Sequence, residues 1–451
     1  MEIKQFYDKA LAHASYAVLS NGEIILIDPG RDPKPYCDFA ECRVARIVGI
    51  IETHPHADFV SSHKEISDTM GCPVYVSKLV GAEYHHKPFD EGDKIKLGKL
   101  TLRAINTPGH SPDSICVVVS DEEGKEHAIF TGDTLFVGDV GRPDLREEAG
   151  SITAQREELA REMFRSTREK LMLLPSHLAV YPAHGAGSLC GKSLSTDTSS
   201  TIYRELRENY ALQKMTEDEF VDLLLQDQPY VPKYFPSSVA INRVGARSLD
   251  EALSEIPHLL DAGQVETGVL IVDSRPADVF ARGYLKNSIN IPLKGRFETY
   301  LGSVIAPGER FYLLAAAADE GESALRRIAK IGYETQVAAM VIADPQGPLS
   351  LKSLDEEQFE RNPDAFTIVD VRRESEYAQG RPFHNSINIP LHTLRERLNE
   401  IPRSKPIVVH CRTNNRAPVA ASIIALKVKR APVHNLGESV SKFRPVEGAF
   451  A

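Results

Sequence analysis

A repeated segment constrains the fold of this chain more than any other feature of its sequence. The letters VDSRPADVFARGYLKNSINIPL at 272–293 return as VDVRRESEYAQGRPFHNSINIPL at 369–391, and NSINIPL is identical in both copies. Chance does not produce such an identity next to a shared Val-Asp-x-Arg, so the two segments indicate homologous domains, each of about 100 residues. Their apolar runs, separated by polar stretches, favour an α/β fold for each domain.

The region before the repeats predicts one larger α/β domain. Its first apolar runs, ASYAVLS and EIILIDPG, are separated by Asn21-Gly22, which favours a type I′ turn and therefore a β-hairpin. Further apolar runs follow, and stretches such as VSSHKEISDTM and SITAQREELAREMFRSTREKLMLL have the pattern of helices. Strands that alternate with helices predict a layered α/β domain.

Two interruptions divide the chain into three predicted domains, at 1–240, 245–345 and 348–451. The proline-rich stretch QDQPYVPKYFPSS (226–238) breaks any regular pattern and is interpreted as the first linker, and VIADPQGPLS separates the two repeats. The length of 451 residues agrees with this division, because an ordinary domain holds about 150 residues.

Composition narrows the classes of function. The formal net charge is -10 and no basic block is present, so a nucleic-acid partner is not expected. No apolar run of about 18 residues occurs, and the first residues lack the apolar core of a signal peptide, so we expect neither a membrane span nor a leader. The six cysteines are scattered, which argues against a disulfide scaffold and makes a reducing cytoplasm the expected compartment.

Four short motifs with metal-binding side chains each follow an apolar strand of the first domain. A lone histidine is usually structural, but four motifs together, placed in loops after strands, indicate a functional site. The motif residues are His54, His56 and Asp58 in THPHADF, His110 in TPGHSPDS, Asp133 in FTGDTLF and His184 in YPAHGAG.

These motifs resemble those of the metallo-β-lactamase superfamily, and within it glyoxalase II and the persulfide dioxygenases. The stretch GDTLFVGDVGRPDL strengthens the resemblance. The resemblance implies an αββα sandwich. In the hydrolases of this branch it also implies two metals: one on the first two histidines, the third-motif histidine and a bridging aspartate, and one on the motif aspartate, the adjacent histidine, the last histidine and the same bridge.

Phe59 stands where the second metal would need its adjacent histidine. A phenyl ring cannot bind a metal, so the second site is one nitrogen ligand short. His54, His110 and Asp133 remain, and two histidines with one carboxylate form the facial triad of non-haem Fe(II) oxygenases. Persulfide dioxygenases are similar in using a single iron on the three matching residues, which implies one Fe(II) per chain.

The other residues near this site have more than one interpretation. His56, Asp58 and His184 are expected to orient the ligands or to hydrogen-bond bound water. Arg142 either neutralises an anionic substrate or forms a structural salt bridge. Cys190 either meets a sulfur-containing substrate or is a buried, inert thiol.

A second candidate site lies in the last domain, where KPIVVHCRTNNRAPVAASIIAL predicts a buried strand, a polar loop and a helix. Cys411 ends the strand, Arg412 follows it, and Arg416 begins the helix. N–H groups at a helix start and nearby arginines stabilise a thiolate or a bound anion, so a nucleophilic cysteine is expected.

The Cys-x4-Arg loop, together with VDVR and NSINIPL, resembles rhodanese, a sulfurtransferase that carries sulfane sulfur as a cysteine persulfide. The related phosphatases have the longer loop Cys-x5-Arg. The resemblance implies a domain with a central parallel sheet, whereas GRPFHNS departs from the usual Gly-His-Ile-x-Gly-Ala and leaves the donor specificity open. In the first copy, FYLLAAAADEGESAL places Ala315 at the cysteine position and Glu320 at the arginine position, so 245–345 is interpreted as an inactive rhodanese-like domain.

The domain order resembles that of bacterial persulfide dioxygenase–rhodanese fusions. The resemblance implies Fe(II)- and O2-dependent oxidation of a glutathione or coenzyme A persulfide to sulfite, and sulfur transfer through a Cys411 persulfide that forms or uses thiosulfate. A glyoxalase II-like thioester hydrolase and a non-catalytic scaffold stay open as alternatives. The carrier thiol, the direction of sulfur transfer and the oligomeric state also stay open, and a homodimer or larger homo-oligomer is compatible with this architecture.

Overall fold

The computed structural model describes residues 1–147, 155–343 and 347–443. The chain forms two compact units: the first contains Met1–Ala252 and the short segment Ala329–Gly332, and the second contains Leu253–Ile328 and the chain from Tyr333 onward. The predicted boundary at 345 and the end of the last predicted domain lie outside the described residues. The division into three domains stays a prediction.

The first unit contains two six-stranded sheets. One has the order β1-β2-β3-β4-β5-β6 and the other the order β12-β11-β10-β9-β8-β7. The strands of the first sheet are β1 (Glu2–Asp8), β2 (His13–Ser20), β3 (Glu23–Ile27), β4 (Arg46–Ile51), β5 (Val74–Val76) and β6 (His86–Pro88). Those of the second are β7 (Lys94–Leu97), β8 (Leu100–Asn106), β9 (Ile115–Ser120), β10 (Glu126–Gly132), β11 (Ala179–Pro182) and β12 (Ser200–Thr201).

Helices cover the outer faces of both sheets. The helices are α1 (Lys34–Cys42), α2 (His63–Met70), α3 (Arg156–Arg165), α4 (Ile202–Glu208), α5 (Glu217–Leu225), α6 (Phe235–Val244) and α7 (Leu249–Ser254). One core cluster joins the two sheets, a second joins the first sheet to α1 and α2, and a third joins the second sheet to α3 and α5. This confirms the predicted αββα layering, because each sheet buries both of its faces.

Local predictions are confirmed at the first hairpin and partly wrong at the first linker. Asn21 and Gly22 both have positive φ, at 53° and 78°, and join the antiparallel strands β2 and β3. The last residues of the predicted linker, however, begin α6 at Phe235. Pro236 lies in the first turn of that helix, where its missing N–H leaves no helical hydrogen bond unmade.

The second unit contains two parallel sheets. One has the order β13-β17-β16-β14-β15 and the other the order β19-β18-β20-β21. The strands are β13 (His258–Leu259), β14 (Leu270–Asp273), β15 (Ser288–Asn290), β16 (Phe311–Ala315), β17 (Val337–Ile342), β18 (Thr367–Asp370), β19 (Ile387–Asn388), β20 (Ile407–His410) and β21 (Val433–Asn435). The helices are α8 (Ala277–Arg282), α9 (Phe297–Val304), α10 (Ala318–Ala329), α11 (Glu356–Arg361), α12 (Glu374–Ala378) and α13 (Ala417–Lys427).

The repeated letters form the same buried network in both sheets. In the first copy, the guanidinium of Arg275 donates to the carboxylate of Asp273 at 2.7 Å and to the carbonyl of Gly283 at 3.0 Å. In the second copy, Arg372 donates to Asp370 at 2.6 Å and to the carbonyl of Gly380 at 2.9 Å. An asparagine of each NSINIPL segment adds two further bonds to backbone carbonyls of the Val-Asp-x-Arg segment. The repeat in sequence is therefore a repeat in structure.

No helix among the described residues combines the length and the apolar character needed to span a lipid bilayer.

Candidate metal centre and cysteine loop

The six metal-binding side chains of the first unit meet at the ends of four strands. THPHADF follows β4, and the loops with the other three motifs follow β8, β10 and β11. Gly132, with φ at 49°, ends β10 against Thr53, and a side chain at this position would collide with the threonine. All six side chains are buried. The fold thus gathers donors that are far apart in sequence into one enclosed site.

His54, His110 and Asp133 form the tightest predicted set. The Oδ2 atom of Asp133 lies 3.5 Å from Nε2 of His110 and 3.9 Å from Nε2 of His54. A metal about 2.1 Å from each donor allows two donors to lie at most about 4.2 Å apart. Nε2 of His54 and both carboxylate oxygens of Asp133 are buried and have no hydrogen-bond partner among the described residues. Such orphaned donor atoms fit a metal ion.

Neighbouring groups orient the two histidines of this set. Nδ1 of His110 donates to the backbone carbonyl of Arg142 at 2.8 Å. Nδ1 of His54 lies 3.1 Å from the hydroxyl of Thr53, which itself donates to Asp28 at 2.9 Å, so the ring nitrogen must be the donor to the hydroxyl. Each Nε2 therefore keeps a lone pair for a metal. Burial lowers the pKa of both imidazoles, and the nearby His56 and His110 lower that of His54 further. The metal-binding neutral form is thus favoured.

His56 has a different environment. Its Nε2 lies 3.1 Å from a carboxylate oxygen of Asp28. Burial alone would lower the pKa of His56, but Asp28 raises it to about 9. The ring packs at a centroid distance of 4.4 Å against Phe59. His56 thus pairs with an acidic side chain behind the site, although its ring also lies within reach of Asp133 and His184.

Asp58, His184 and Cys190 form a second group of donors. Nε2 of His184 lies 3.4 Å from Asp58 and 3.5 Å from Oδ1 of Asp133, and its Nδ1 donates to the carbonyl of Ala12 at 3.1 Å. Against the effect of burial, these carboxylates raise the pKa of His184 well above its usual value, and His184 lowers that of Asp58 to about 2. Burial, followed by the two carboxylates, raises the pKa of the Cys190 thiol far above its usual range.

Arg142 is surrounded by structural partners. Its guanidinium donates twice to Asp144, at 2.7 and 2.6 Å, and once to the carbonyl of Leu189 at 3.1 Å. The side chain is 1% exposed. These contacts favour the structural interpretation of Arg142, whose backbone carbonyl also orients His110.

Sequence reasoning missed one histidine at the metal centre. His13 begins β2, is buried, and packs its ring against Phe59 at a centroid distance of 3.8 Å. Its ring centroid lies 5.7 Å from that of His184 and 5.9 Å from that of His56. Burial, His184 and His56 lower the pKa of His13 to about 3. In the sequence His13 is a lone histidine in ALAHASY, without a second metal-binding residue nearby to mark it.

The cysteine loop occupies the predicted place between β20 and α13 in the second unit. Cys411 is buried, Arg412 is exposed, and Asn414 has a left-handed backbone with φ at 57°. The guanidinium of Arg416 donates to both carboxylate oxygens of Glu376, at 2.6 and 2.8 Å. Burial alone would lower the pKa of Arg416 and raise that of Glu376. The ion pair between them outweighs burial, so the pKa of Arg416 is raised and that of Glu376 is lowered to about 2. Sequence reasoning missed Glu376 because it lies on α12, far from the loop in sequence.

Strand register identifies the matching position in the first repeat. Asp370 pairs with His410 between β18 and β20, and Asp273 pairs with Leu314 between β14 and β16. The next residues are Cys411 and Ala315, so the alanine occupies the position of the cysteine.

Family models and relatives agree with these two sites. The model of the metallo-beta-lactamase superfamily matches residues 8–184, and that of the rhodanese-like domain matches residues 350–444. The chain is 29% identical over 259 residues to a probable metallo-hydrolase of Burkholderia pseudomallei, covering 49% of this chain and 84% of that protein. It is 29% identical over 204 residues to the mitochondrial persulfide dioxygenase ETHE1 of Homo sapiens, covering 45% of this chain and 71% of that protein.

A solved structure extends the similarity. The crystal structure of a metallo-beta-lactamase from Staphylococcus aureus aligns with a TM-score of 0.67 and 31% identity, covering 76% of this chain and 98% of that chain. The chain therefore belongs to the metallo-beta-lactamase superfamily. More narrowly, it joins a domain of that superfamily to a C-terminal rhodanese domain, as the sequence predicts.

Proposed function

We propose that this protein is an Fe(II)-dependent persulfide dioxygenase joined to a sulfurtransferase. A low-molecular-weight persulfide anion, dioxygen and water become the thiol, sulfite and one proton, so the outer sulfur is oxidised and both oxygen atoms are reduced. Glutathione persulfide and coenzyme A persulfide are the candidate substrates. The single observation that carries the proposal is the His54, His110 and Asp133 set: neighbouring groups orient both imidazoles, and Nε2 of His54 and both carboxylate oxygens of Asp133 have no hydrogen-bond partner among the described residues. Similarity to the human persulfide dioxygenase supports it.

The residues around this set have separate roles in the proposal. His54, His110 and Asp133 hold one Fe(II), which when bound supplies open coordination positions and the redox chemistry by which triplet dioxygen reacts. Thr53 and the carbonyl of Arg142 fix the two imidazoles, because each accepts a hydrogen bond from Nδ1.

The surroundings of His56 and Phe59 favour a single iron. His56 lies 3.1 Å from Asp28, and the Phe59 ring fills the space beside it. We therefore assign His56, Asp58 and His184 to ligand orientation and to hydrogen bonds with bound water. Cys190 is assigned as a buried thiol that packs beside Asp58 and His184.

In the second unit, Cys411 is proposed to carry sulfane sulfur as a persulfide. Transfer to sulfite breaks the sulfur–sulfur bond at Cys411, forms that of thiosulfate, and leaves the Cys411 thiolate. The reverse reaction supplies persulfide from thiosulfate. N–H groups at the start of α13 and the guanidinium groups of Arg412 and Arg416 would stabilise the anions, while Glu376 holds Arg416 in place.

The first repeat is proposed to be a rhodanese-like domain without activity. Ala315 replaces the nucleophile, and Glu320, five residues further along the chain in the first turn of α10, has the opposite charge to Arg416, which follows Cys411 at the same spacing. The domain keeps its parallel sheet and its buried Asp273–Arg275 network, which suits a spacer or a docking surface.

A metal-dependent thioester hydrolase is the second candidate function, because one observation favours it. Asp58, His184 and Cys190 place a carboxylate, an imidazole and a thiol close together, with Oδ1 of Asp133 near His184. These are ligand types that zinc accepts, so a second metal has potential donors even without a histidine at position 59.

Metal analysis combined with oxygen uptake distinguishes these functions. Protein purified without oxygen should contain about one iron per chain, consume O2 only when glutathione or coenzyme A persulfide is added, and release sulfite. Two zinc ions per chain with cleavage of S-lactoylglutathione would instead establish the hydrolase. A protein that binds no metal and consumes no O2 would contradict both enzymes.

A further inference from the structure

A cavity of about 480 Å³ adjoins the metal centre. It is lined by residues of β1, β2, α1 and the loop after β3, and by Phe59 of the THPHADF motif. Cavities of this size accommodate ligands as large as small peptides or cofactors. The cavity is therefore a suitable entrance for a thiol substrate of low molecular weight.

His13 and Phe59 border both this cavity and the metal-binding side chains. Both residues line the cavity, and their rings are tilted by 33° at a centroid distance of 3.8 Å. Among the metal-binding side chains, His56 lies 4.4 Å from Phe59 and 5.9 Å from His13, measured between ring centroids. A substrate that moved from the cavity towards the metal-binding side chains would therefore pass the imidazole of His13.

The imidazole of His13 has a polar atom without a partner. His13 is 3% exposed, and its Nε2 makes no hydrogen bond in the described chain. A buried polar atom without a hydrogen bond destabilises the folded protein, so it requires an explanation. A bound ligand that supplies the missing hydrogen bond is such an explanation.

The backbone fixes His13 beside the metal centre. His13 and His184 face each other as an isolated antiparallel bridge. The N–H of Ala14 donates to the carbonyl of Ala183 at 2.7 Å, and the N–H of Gly185 donates to that of Ala12 at 3.1 Å. These two bonds hold the start of β2 against the loop that carries His184, so the backbone that carries the imidazole of His13 is fixed.

We propose that His13 is a positioning residue for the sulfur substrate, and that its Nε2–H donates a hydrogen bond to the anionic outer sulfur of a persulfide entering through this cavity. The inference rests on the proposed dioxygenase function and adds a residue that recognises the reacting end of the substrate. Phe59 excludes water on the same side, so the hydrogen bond acts in an apolar environment where it is stronger than in water.

Two substitutions test the role of Nε2. His13→Leu fills a similar space without a polar atom, and His13→Gln retains an N–H donor. We expect kcat/KM for O2 uptake with glutathione persulfide to fall about 10- to 100-fold in His13→Leu, the range of a hydrogen bond to a charged group, and to recover in His13→Gln. Iron content should stay at the parent level in both. His177→Leu, which changes an exposed histidine of the same unit, should leave all these values unchanged.

A binding measurement provides a readout that does not depend on turnover. Sulfite, an anion with three acceptor oxygens, is titrated calorimetrically without oxygen into iron-loaded chains carrying Cys411→Ser, which lack the thiol of the second site. His13→Leu should raise the Kd for sulfite about 10-fold or more, and His13→Gln should not.

Three results would overturn the inference. His13→Leu could keep the parent kcat/KM and Kd, His13→Gln could lose as much as His13→Leu, or either variant could lose iron, which would make His13 a structural residue or a metal ligand. A parent protein that consumes no O2 with either persulfide would instead overturn the proposed function, and the inference with it.

Discussion

The candidate metal centre of the first unit and the cysteine loop of the second are built in opposite ways. The metal centre takes its side chains from loops after four strands in two sheets, and its six motif residues are all buried. The cysteine loop takes Cys411, Arg412 and Arg416 from six consecutive residues between one strand and one helix. Only Glu376 is added from another element.

This difference determines how each centre can be lost. A site gathered from distant segments depends on the whole fold. Substitution of one metal-binding residue can therefore change its chemistry, while the fold keeps the remaining residues in place. A site in one loop can be removed locally, and the first repeat illustrates this with Ala315 in the place of Cys411 while the sheet is kept. The two centres should therefore respond independently to substitution.

The largest effect is expected for Cys411→Ser. Sulfur transfer from thiosulfate to cyanide should fall about 1,000-fold or more, because a serine hydroxyl cannot carry the sulfur. Iron content and persulfide-dependent O2 uptake should stay at the parent level. Cys42→Ser, which changes an exposed cysteine, is the control. Loss of O2 uptake with free persulfide present would show that the centres are not independent.

The converse substitution is His110→Ala. Removal of a ligand should lower iron binding and O2 uptake at least about 100-fold, since even residues that only orient ligands change metal affinity 10- to 100-fold. Sulfur transfer from thiosulfate to cyanide, measured on the same preparation, should be unchanged. His177→Ala serves as the control, and a parallel decline of both activities would argue for shared folding damage instead.

Phe59→His tests whether one residue keeps the metal centre at a single ion. The new imidazole would join Asp58 and His184, so zinc-loaded protein should rise from about one to about two metal ions per chain. Phe59→Leu should remain at about one. Elemental analysis after gel filtration measures both, and a count of one for Phe59→His would mean that the phenyl ring is not what limits the site.

The smallest effect is expected for Glu376→Gln at the cysteine loop. Against the effect of burial, Arg416 lowers the pKa of Glu376 from 4.5 to about 2, so the ion pair stabilises the fold above about pH 4.5 and this contribution is lost as the pH falls towards 2. The variant should lose about 1 kcal/mol of unfolding free energy at pH 7.

Denaturant unfolding at several pH values measures this contribution. The difference between parent and Glu376→Gln should shrink below pH 4.5. Glu357→Gln removes an exposed ion pair with Arg361 on α11 and should have almost no effect at any pH. A difference for Glu376→Gln that is constant down to pH 2 would exclude the ion pair as its cause.

The sequence predicts that the candidate metal-binding side chains lie close together, because each of them follows an apolar strand, and strand ends converge in a layered sheet fold. It also predicts the strand, the cysteine loop and the helix that follow one another in the last domain, and the resemblance to rhodanese adds the parallel sheet. His13 and Glu376 could not be predicted in the same way, because each gains its position from contacts with segments far away in sequence. The start of α6 was missed because a proline in the first turn of a helix resembles a linker in sequence.

The identical strand register of the two repeats has a practical consequence for engineering. A cysteine introduced at 315 would stand at the tip of β16, on a frame that the Asp273–Arg275 pair already holds as Asp370–Arg372 holds its counterpart. The nucleophile and the arginines that are absent there correspond to positions 315–320, which include the last residue of β16 and the first turn of α10. Grafting the six residues 411–416 onto 315–320 would therefore have to replace the first turn of α10 by a loop, in addition to supplying the nucleophile for a second sulfur carrier.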